Sequence, residues 1–207
     1  MKNMLDKLIS IGGTALVSEF RPPETWDGLK GELCDLLLRK NGFYAFEAAL
    51  LVRPFGESLT PISLDPWNKP DLWLDAYRLD LPELYFFAED VFGGQFALSK
   101  DGVVSFDPET GKLERVSSSL EGWAEGLLDD YDYFTGYSLA SAWQKEHGCL
   151  PMGSRLIPKQ LFVLGGDFES SNLMCVKDVR GMRSRGFFAT ELKDVPDGGQ
   201  VTFELVD

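Results

Sequence analysis

LYFFAEDVFGGQFALSKDGVVSFDPETGKLERV, residues 84–116, contains the clearest structural pattern of this chain. Four short runs rich in aromatic and β-branched residues lie in it: Tyr85–Glu89, Gln95–Ser99, Val103–Asp107 and Lys112–Val116. The segments between them hold Gly93-Gly94, Asp101-Gly102 and the sequence DPETG at 107–111. Asp-Gly between two such runs favours a tight hairpin turn, because Gly adopts positive φ at little cost. The stretch therefore predicts a four-stranded antiparallel meander.

Helical patterns precede and follow the meander. Apolar residues recur at helical spacing in residues 4–10, in the segment after Pro22-Pro23 that runs from Trp26 to Leu37, and in residues 120–131 and 139–147. Ser118 and Glu121 have the spacing of a capping box. Residues 43–53 suit a buried strand or a helical turn. Another helix is predicted to begin near residues 65–70, with Leu72, Trp73, Ala76 and Tyr77 on its inward face.

Helices on both sides of the meander are its natural cover, because a sheet must bury its apolar face. The predicted fold class is α+β, with a central, mostly antiparallel sheet at about 84–116 flanked by helices. Residues 1–148 form the predicted core domain. Residues 149–207 form a strand and helix extension packed on it, unless the whole chain is one continuous domain.

The extension has its own expected elements. Residues 160–164 and 173–176 have the composition of strands, and Ser184–Lys193 has that of a helix. Val201, Phe203 and Leu205 alternate after the turn sequence Asp197-Gly198-Gly199, which predicts a final strand.

The charge balance restricts the class of partner. The chain carries 33 acidic and 20 basic residues, a formal net charge of −13. A field of that sign repels phosphates, which argues against nucleic-acid binding, and it speeds association with basic proteins. Apolar runs are shorter than the ~20 residues of a membrane helix, and the N-terminus is interpreted as an amphipathic helix rather than a signal peptide. Together with three scattered cysteines, these features predict a cytoplasmic protein with no membrane partner.

The sequence lacks the motifs of common enzyme and metal sites. No phosphate-binding glycine loop, nucleophile elbow, HExxH or CxxC occurs. The lone His147 ends a predicted helix, where an imidazolium is favoured by the helix dipole. One His and three scattered Cys do not make a zinc site. We therefore expect no catalytic residue, no metal and no cofactor.

Acidic and aromatic residues near the meander are the candidates for partner binding. Phe86 and Phe87 are adjacent, so regular alternation would send them to opposite faces of the strand. The candidate binding residues are Phe87, Glu89, Asp90, Glu121, Glu125 and Asp129. Burial of both rings under helices and a solvated acidic helix face are the alternatives that the sequence leaves open. Arg180, Arg183 and Arg185 either hold an anionic group or pair with the acids of the chain itself.

The order of these motifs resembles that of the SUKH superfamily, which includes the fungal Smi/Knr-type cell-wall assembly regulator and many bacterial proteins. The resemblance covers roughly residues 24–145. The matching segments are LLLRKNGFYAFEAALLV at 36–52, PELYFFAEDVFGGQFAL at 82–98, GVVSFDPETGKLERV at 102–116 and SSLEGWAEGLL at 118–128.

The resemblance implies a central sheet with flanking helices and a non-enzymatic role. Bacterial members are regarded as immunity proteins that bind and neutralise toxins, often nucleases. This implies a protein partner, namely a basic toxin domain. A housekeeping regulator or scaffold is an alternative function, and a small enzyme or ligand-binding domain that uses a pair of acidic residues is another.

Overall fold

The structure is a computed structural model, and it describes residues 3–21, 23, 25–58, 60–193 and 195. Six strands form one antiparallel sheet in chain order: β1 (Phe43–Ala45), β2 (Leu50–Val52), β3 (Tyr85–Asp90), β4 (Gln95–Ser99), β5 (Gly102–Phe106) and β6 (Leu113–Ser117). The four predicted strands of the meander are confirmed as β3 to β6. The α+β fold class is confirmed as well.

The remaining elements surround this sheet. The helices are α1 (Met4–Ile11), α2 (Gly28–Arg39), α3 (Leu64–Trp67), α4 (Leu120–Asp129), α5 (Tyr131–Thr135), α6 (Tyr137–His147) and α7 (Asp178–Leu192). Short 3₁₀ helices span Leu74–Tyr77, Phe162–Leu164 and Ser170–Asn172. Strands β7 (Ser154–Pro158) and β8 (Leu173–Lys177) form a separate antiparallel pair.

The ambiguous segment 43–53 is a hairpin that adds β1 and β2 to the edge of the meander. Its turn, Phe46 to Ala48, has three successive residues with positive φ of 50°, 50° and 70°. Neighbouring elements hold this turn, because Arg155 and Gln144 donate hydrogen bonds to the carbonyls of Ala48 and Glu47. Side chains distant in sequence thus compensate a backbone conformation that non-glycine residues rarely adopt.

Helices cover both faces of the sheet. On one face α1, α2 and α4 pack on a core that includes Phe87 and Trp123. On the other face α3, the 3₁₀ helix Leu74–Tyr77 and α7 pack around Phe86 and Trp73. A smaller cluster joins α6 to the β7–β8 pair. The central strands are therefore buried on both sides, which removes the exposed sheet face that the binding hypothesis had placed at Phe87.

A β-bulge in β3 changes which residues share a face. The register with β4 shifts between Phe86 and Ala88. Regular alternation would put Phe87 and Glu89 on the same face of the strand. The extra residue of the bulge reverses the alternation, so the two side chains lie on opposite faces. Phe87 packs with α4, whereas Glu89 bonds to Gln95, whose side-chain oxygen accepts from the indole of Trp67 on the α7 side.

Residues 149–193 differ from the prediction in one strand. The strand expected at 160–164 is wrong: residues 162–164 form a 3₁₀ helix that ends at Gly165 with a φ of 80°. The strand lies earlier, at Ser154–Pro158, and pairs with the correctly predicted β8. The predicted helix at 184–193 is confirmed but begins at Asp178. The final strand predicted at 201–205 lies outside the described residues.

Among the described residues, no helix combines the length and apolar character that crossing a bilayer requires.

Candidate functional site

A cluster of four buried charged side chains lies on the α7 face of the sheet. The guanidinium of Arg155 donates from Nε to Oε1 of Glu89 at 2.6 Å, and Arg53 donates to Oε2 at 2.7 Å. Arg53 also contacts the Asp178 carboxylate at 3.2 Å. All four residues are buried. Two positive and two negative charges balance, so their removal from water is partly compensated by mutual attraction.

The protonation of this cluster follows from burial and charge. Burial alone would raise the pKa of Glu89, but the charges of Arg155 and Arg53 and the hydrogen bonds from Gln95 and Arg53 lower it well below its usual range. Burial raises the pKa of Asp178 despite the nearby Arg53. Glu89 is therefore the acid that most firmly carries the negative charge of the cluster.

The prediction that Glu89 and Phe87 lie on a binding surface is wrong. Glu89 is enclosed in the charge cluster, and the Phe87 ring is fully buried at 4.9 Å from the Trp123 ring in an edge-to-face arrangement. Neither side chain is exposed to a partner. The alternative left open by the sequence, that helices cover both Phe86 and Phe87, is confirmed.

Asp90 is only partly exposed, and it closes the β3–β4 turn. Its Oδ1 accepts from the Gly94 amide at 2.8 Å. A Cβ at Gly94 would lie 2.4 Å from Oδ2, so only glycine allows this close approach. Burial raises the pKa of Asp90 to about 7, although the Gly94 hydrogen bond and the charge of Arg185 oppose the shift. Asp90 thus lies at the edge of a cavity rather than on an open acidic surface.

Glu121 has a structural contact that the capping-box prediction missed. The N-cap of α4 is Ser119, one residue later than predicted, and its hydroxyl accepts from Gly122. The Glu121 carboxylate reaches instead to the amides of Met4 and Leu5 in the first turn of α1. A carboxylate there satisfies amide groups that lack helical partners and complements the helix dipole.

Glu125 and Asp129 are exposed on α4, as a binding surface requires. The next turn continues the acidic surface with two tyrosines. We define the acidic face by its exposed residues: Glu125, Asp129, Asp130, Tyr131, Asp132 and Tyr133. Tyr131 and Tyr133 are 42% and 75% exposed. Aromatic side chains this exposed are typical of protein-binding surfaces, and the tyrosines are residues that the sequence reasoning did not select.

A groove adjoins the acidic face at Tyr133. It has a volume of about 650 Å³ and is bounded by the β4 and β5 strands, the 107–109 turn, α5 and residues 162–168. Its aromatic lining includes Phe92, Phe134, Phe162, Phe168 and Tyr133.

Seven acidic or basic side chains line the groove. Asp107, Lys112, Glu114 and Arg115 are exposed, whereas Asp90, Glu109 and Arg185 are partly or fully buried and define its inner part. Glu109 is 5% exposed, and Oε2 accepts from the Val163 amide at 2.9 Å. Burial raises the pKa of Glu109 against this hydrogen bond. The sequence could signal Glu109 only as part of a turn, because residues 162–168 that enclose it lie more than fifty positions away.

The three arginines of α7 have separate roles. Arg183 pairs with Asp75 at 2.7 Å, which confirms pairing with the acids of the chain for this residue. Arg185 is buried and donates to the carbonyls of Gly181 and Phe92. Arg180 is exposed. The three side chains therefore do not form one anion site.

His147 ends α6, as predicted. Its ring stacks on Trp143 at 4.5 Å, and Nδ1 lies 3.0 Å from the Trp143 carbonyl. Among the described residues, no group of three or more His, Cys, Asp or Glu side chains is placed to hold a metal ion.

Comparison with known proteins gives the fold and no more. No protein-family model matches the chain, and no curated protein matches it. The crystal structure of Atu4351 from Agrobacterium tumefaciens is similar, with a TM-score of 0.61 over 90% of this chain and 88% of that one. The two share 14% sequence identity, a level at which structural likeness shows a common fold alone.

Proposed function

We propose that this chain is a non-enzymatic protein-binding module of the bacterial cytoplasm, an immunity protein that neutralises a toxin by covering a basic surface of it. The observation that carries the proposal is the acidic face, where Tyr131 and Tyr133 are exposed among acidic side chains. Tyrosines supply apolar contact area and a hydroxyl, and the surrounding carboxylates attract a basic partner.

The charge of the whole chain supports the same partner class. A net charge of −13 accelerates encounter with a basic protein, and nucleases are basic where they bind phosphates. The resemblance to the SUKH superfamily supports an immunity role. The correction at Glu89 and Phe87 moves the proposed interface from the meander to the end of α4 and to α5.

Co-expression with the toxin domains encoded near its gene tests the proposal. The chain should restore growth of cells that produce one of them and should co-purify with it. The double variant Glu125→Lys/Asp129→Lys should weaken the complex by about 10-fold or more, since it reverses charge on the acidic face. Glu57→Lys/Asp80→Lys makes the same charge change at exposed positions outside that face and should retain binding.

The outcomes of co-expression and of the two double variants decide whether the immunity function and the acidic face are retained. No rescue and no complex with any neighbouring toxin would overturn the immunity function. Equal weakening by both double variants would show that only net charge matters, which would remove the acidic face from the interface. Affinity of the native complex should also fall as salt is raised, because screening acts on exposed charges.

A second candidate function is the binding of a small ligand in the groove, with Asp90 and Glu109 as acid–base groups. Both carboxyls line one cavity, and burial raises the pKa of each. Such paired acids in a cleft are a common arrangement of enzyme sites. Glu109→Gln and Asp90→Asn would leave toxin neutralisation intact if the groove served only this second function.

A further inference from the structure

The groove beside Tyr133 contains a buried acceptor without a hydrogen-bond partner. Oε2 of Glu109 accepts from the Val163 amide, but Oε1 is buried and has no partner among the described residues. A buried oxygen without a hydrogen-bond partner destabilises the folded state, and more so when it is charged. A ligand that donates a hydrogen bond to Oε1 would remove this destabilisation.

The inner groove also carries an uncompensated negative charge. Asp90 and Glu109 supply two carboxyls, and Arg185 supplies one guanidinium. Arg185 forms no ion pair within 4.0 Å among the described residues and donates instead to Gly181, Phe92 and the Met182 sulfur. With both carboxyls ionised the three groups sum to −1, which one added monocation would neutralise. Burial raises the pKa of both acids even though the charge of Arg185 lowers it, so one guanidinium does not offset the burial of two carboxyls.

Aromatic rings flank the route into the groove. Phe162 and Phe168 are stacked at 4.0 Å between ring centres, and Phe168 is 65% exposed. Tyr133 lines the same groove and belongs to the acidic face. Aromatic faces attract cations, and a planar guanidinium stacks on them better than an ammonium does.

We propose that the groove receives an arginine side chain of the protein partner, whose guanidinium stacks on the Phe168 ring and donates to the Glu109 and Asp90 carboxylates. The inference rests on the proposed function, since it takes the occupant from a bound protein and joins the groove to the acidic face through Tyr133. A volume of about 650 Å³ accommodates the arginine and its neighbours in an extended segment. Val163, whose amide holds Oε2 of Glu109, also lines the groove and is 48% exposed.

Titration of the full chain with a peptide tests whether the groove binds an arginine side chain. The probe is a short blocked peptide with one central arginine between glycines, and its control contains citrulline, which keeps the shape but removes the charge. The arginine peptide should bind with Kd of about 1 mM or below. The citrulline peptide should bind at least about tenfold more weakly, since charge-assisted hydrogen bonds are lost. Absence of saturable binding, or equal affinity for both peptides, overturns the proposal.

Variants assign the contacts. Glu109→Gln keeps an oxygen that accepts from Val163 but removes the charge, so it should weaken the arginine peptide by about tenfold and leave the citrulline peptide unchanged. Glu57→Gln removes an exposed charge outside both the groove and the acidic face and should change neither affinity. Phe168→Ala alters an exposed ring and is the second variant if Glu109→Gln does not fold. It should weaken the arginine peptide about three- to tenfold. Unchanged affinity in folded Glu109→Gln or in Phe168→Ala overturns the assigned contacts.

The same variant separates this inference from the proposed function. If wild-type protein and Glu109→Gln neutralise and bind a toxin equally, the immunity function stands and the arginine site is wrong. If no neighbouring toxin is bound while the arginine peptide still requires Glu109, the groove is a guanidinium site and the immunity function is wrong.

Discussion

Nε of Arg155 donates a hydrogen bond of 2.6 Å to Oε1 of Glu89, although the two residues are 66 positions apart in the chain. This ion pair links β7, in the predicted C-terminal extension, to β3, a central strand of the six-stranded sheet. Arg53 on the other oxygen of Glu89 comes from the segment that follows β2. Three separate parts of the chain therefore meet at one carboxylate.

Removing the Glu89 charge should be among the most costly single substitutions in this protein. Glu89→Gln leaves two buried guanidinium groups with Asp178 as the remaining acid, and breaking a buried ion pair costs about 3–5 kcal/mol. Urea unfolding measures the loss. Glu125→Gln is the matched control on an exposed acid and should change stability by less than about 0.5 kcal/mol. A loss below about 1 kcal/mol for Glu89→Gln would contradict the central role of this carboxylate.

Titration of Asp90 should make the free energy of unfolding fall as pH rises. Its pKa is 3.8 ordinarily and about 7 in the folded chain, so between these values the folded state holds a proton that the unfolded state has released. Stability decreases with rising pH wherever the folded state binds more protons. Asp90→Asn cannot titrate and should lose this component.

Unfolding free energies at pH 5.5 and 8 measure this effect. The fall between them should be smaller in Asp90→Asn than in the wild type by about 1–2 kcal/mol, at the lower end because Asp90 is partly exposed. Asp80→Asn, at an exposed carboxyl, should keep the wild-type dependence. Identical pH dependence in Asp90→Asn and the wild type would show that the Asp90 carboxyl is not perturbed.

Glu121 should stabilise α1 rather than bind a partner. Its carboxylate accepts from the Met4 and Leu5 amides, so Glu121→Gln weakens this cap and should cost about 0.5–2 kcal/mol. Amide hydrogen exchange should accelerate in α1 more than in α2. Toxin affinity measured below the unfolding range should stay at the wild-type value. A variant of unchanged stability and reduced affinity would restore Glu121 to the binding surface.

Gly186 should be required where α7 crosses the 3₁₀ helix Leu74–Tyr77. An added Cβ would lie 2.9 Å from the Tyr77 ring and 3.0 Å from Ala76, both too close. Gly186→Ala should therefore destabilise by about 1–3 kcal/mol despite the better helix propensity of alanine. Gly31→Ala in α2 is the matched control, because its Cβ would meet only Trp26 O at 3.7 Å, and it should stabilise by up to about 1 kcal/mol. Stabilisation in both variants would contradict close packing at Gly186.

Local sequence patterns were sufficient to predict the meander and most of the helices. Asp101-Gly102 and the other turns are local signals, since positive φ at Gly depends on a few neighbouring residues. The leucines of α2 likewise recur at helical spacing, which marks the face of the helix that must be buried. The strand wrongly expected at 160–164 has an apolar composition, but the chain turns at Gly165 with a positive φ, and the Gln160 amide donates to Oδ1 of Asn172. Composition alone could not distinguish a strand from a 3₁₀ helix there.

The exposure of the acidic residues, in contrast, depends on long-range contacts that local patterns do not contain. The bulge between Phe86 and Ala88 separates Phe87 from Glu89, and no local pattern announces it. Glu89 is buried because Arg53 and Arg155 arrive from distant segments, and Glu109 because residues 162–168 fold over its turn. A carboxylate looks the same in sequence whether water or a guanidinium solvates it. Its role is fixed by long-range contacts, which is why Glu125 and Asp129 keep their predicted exposure and Glu89 does not.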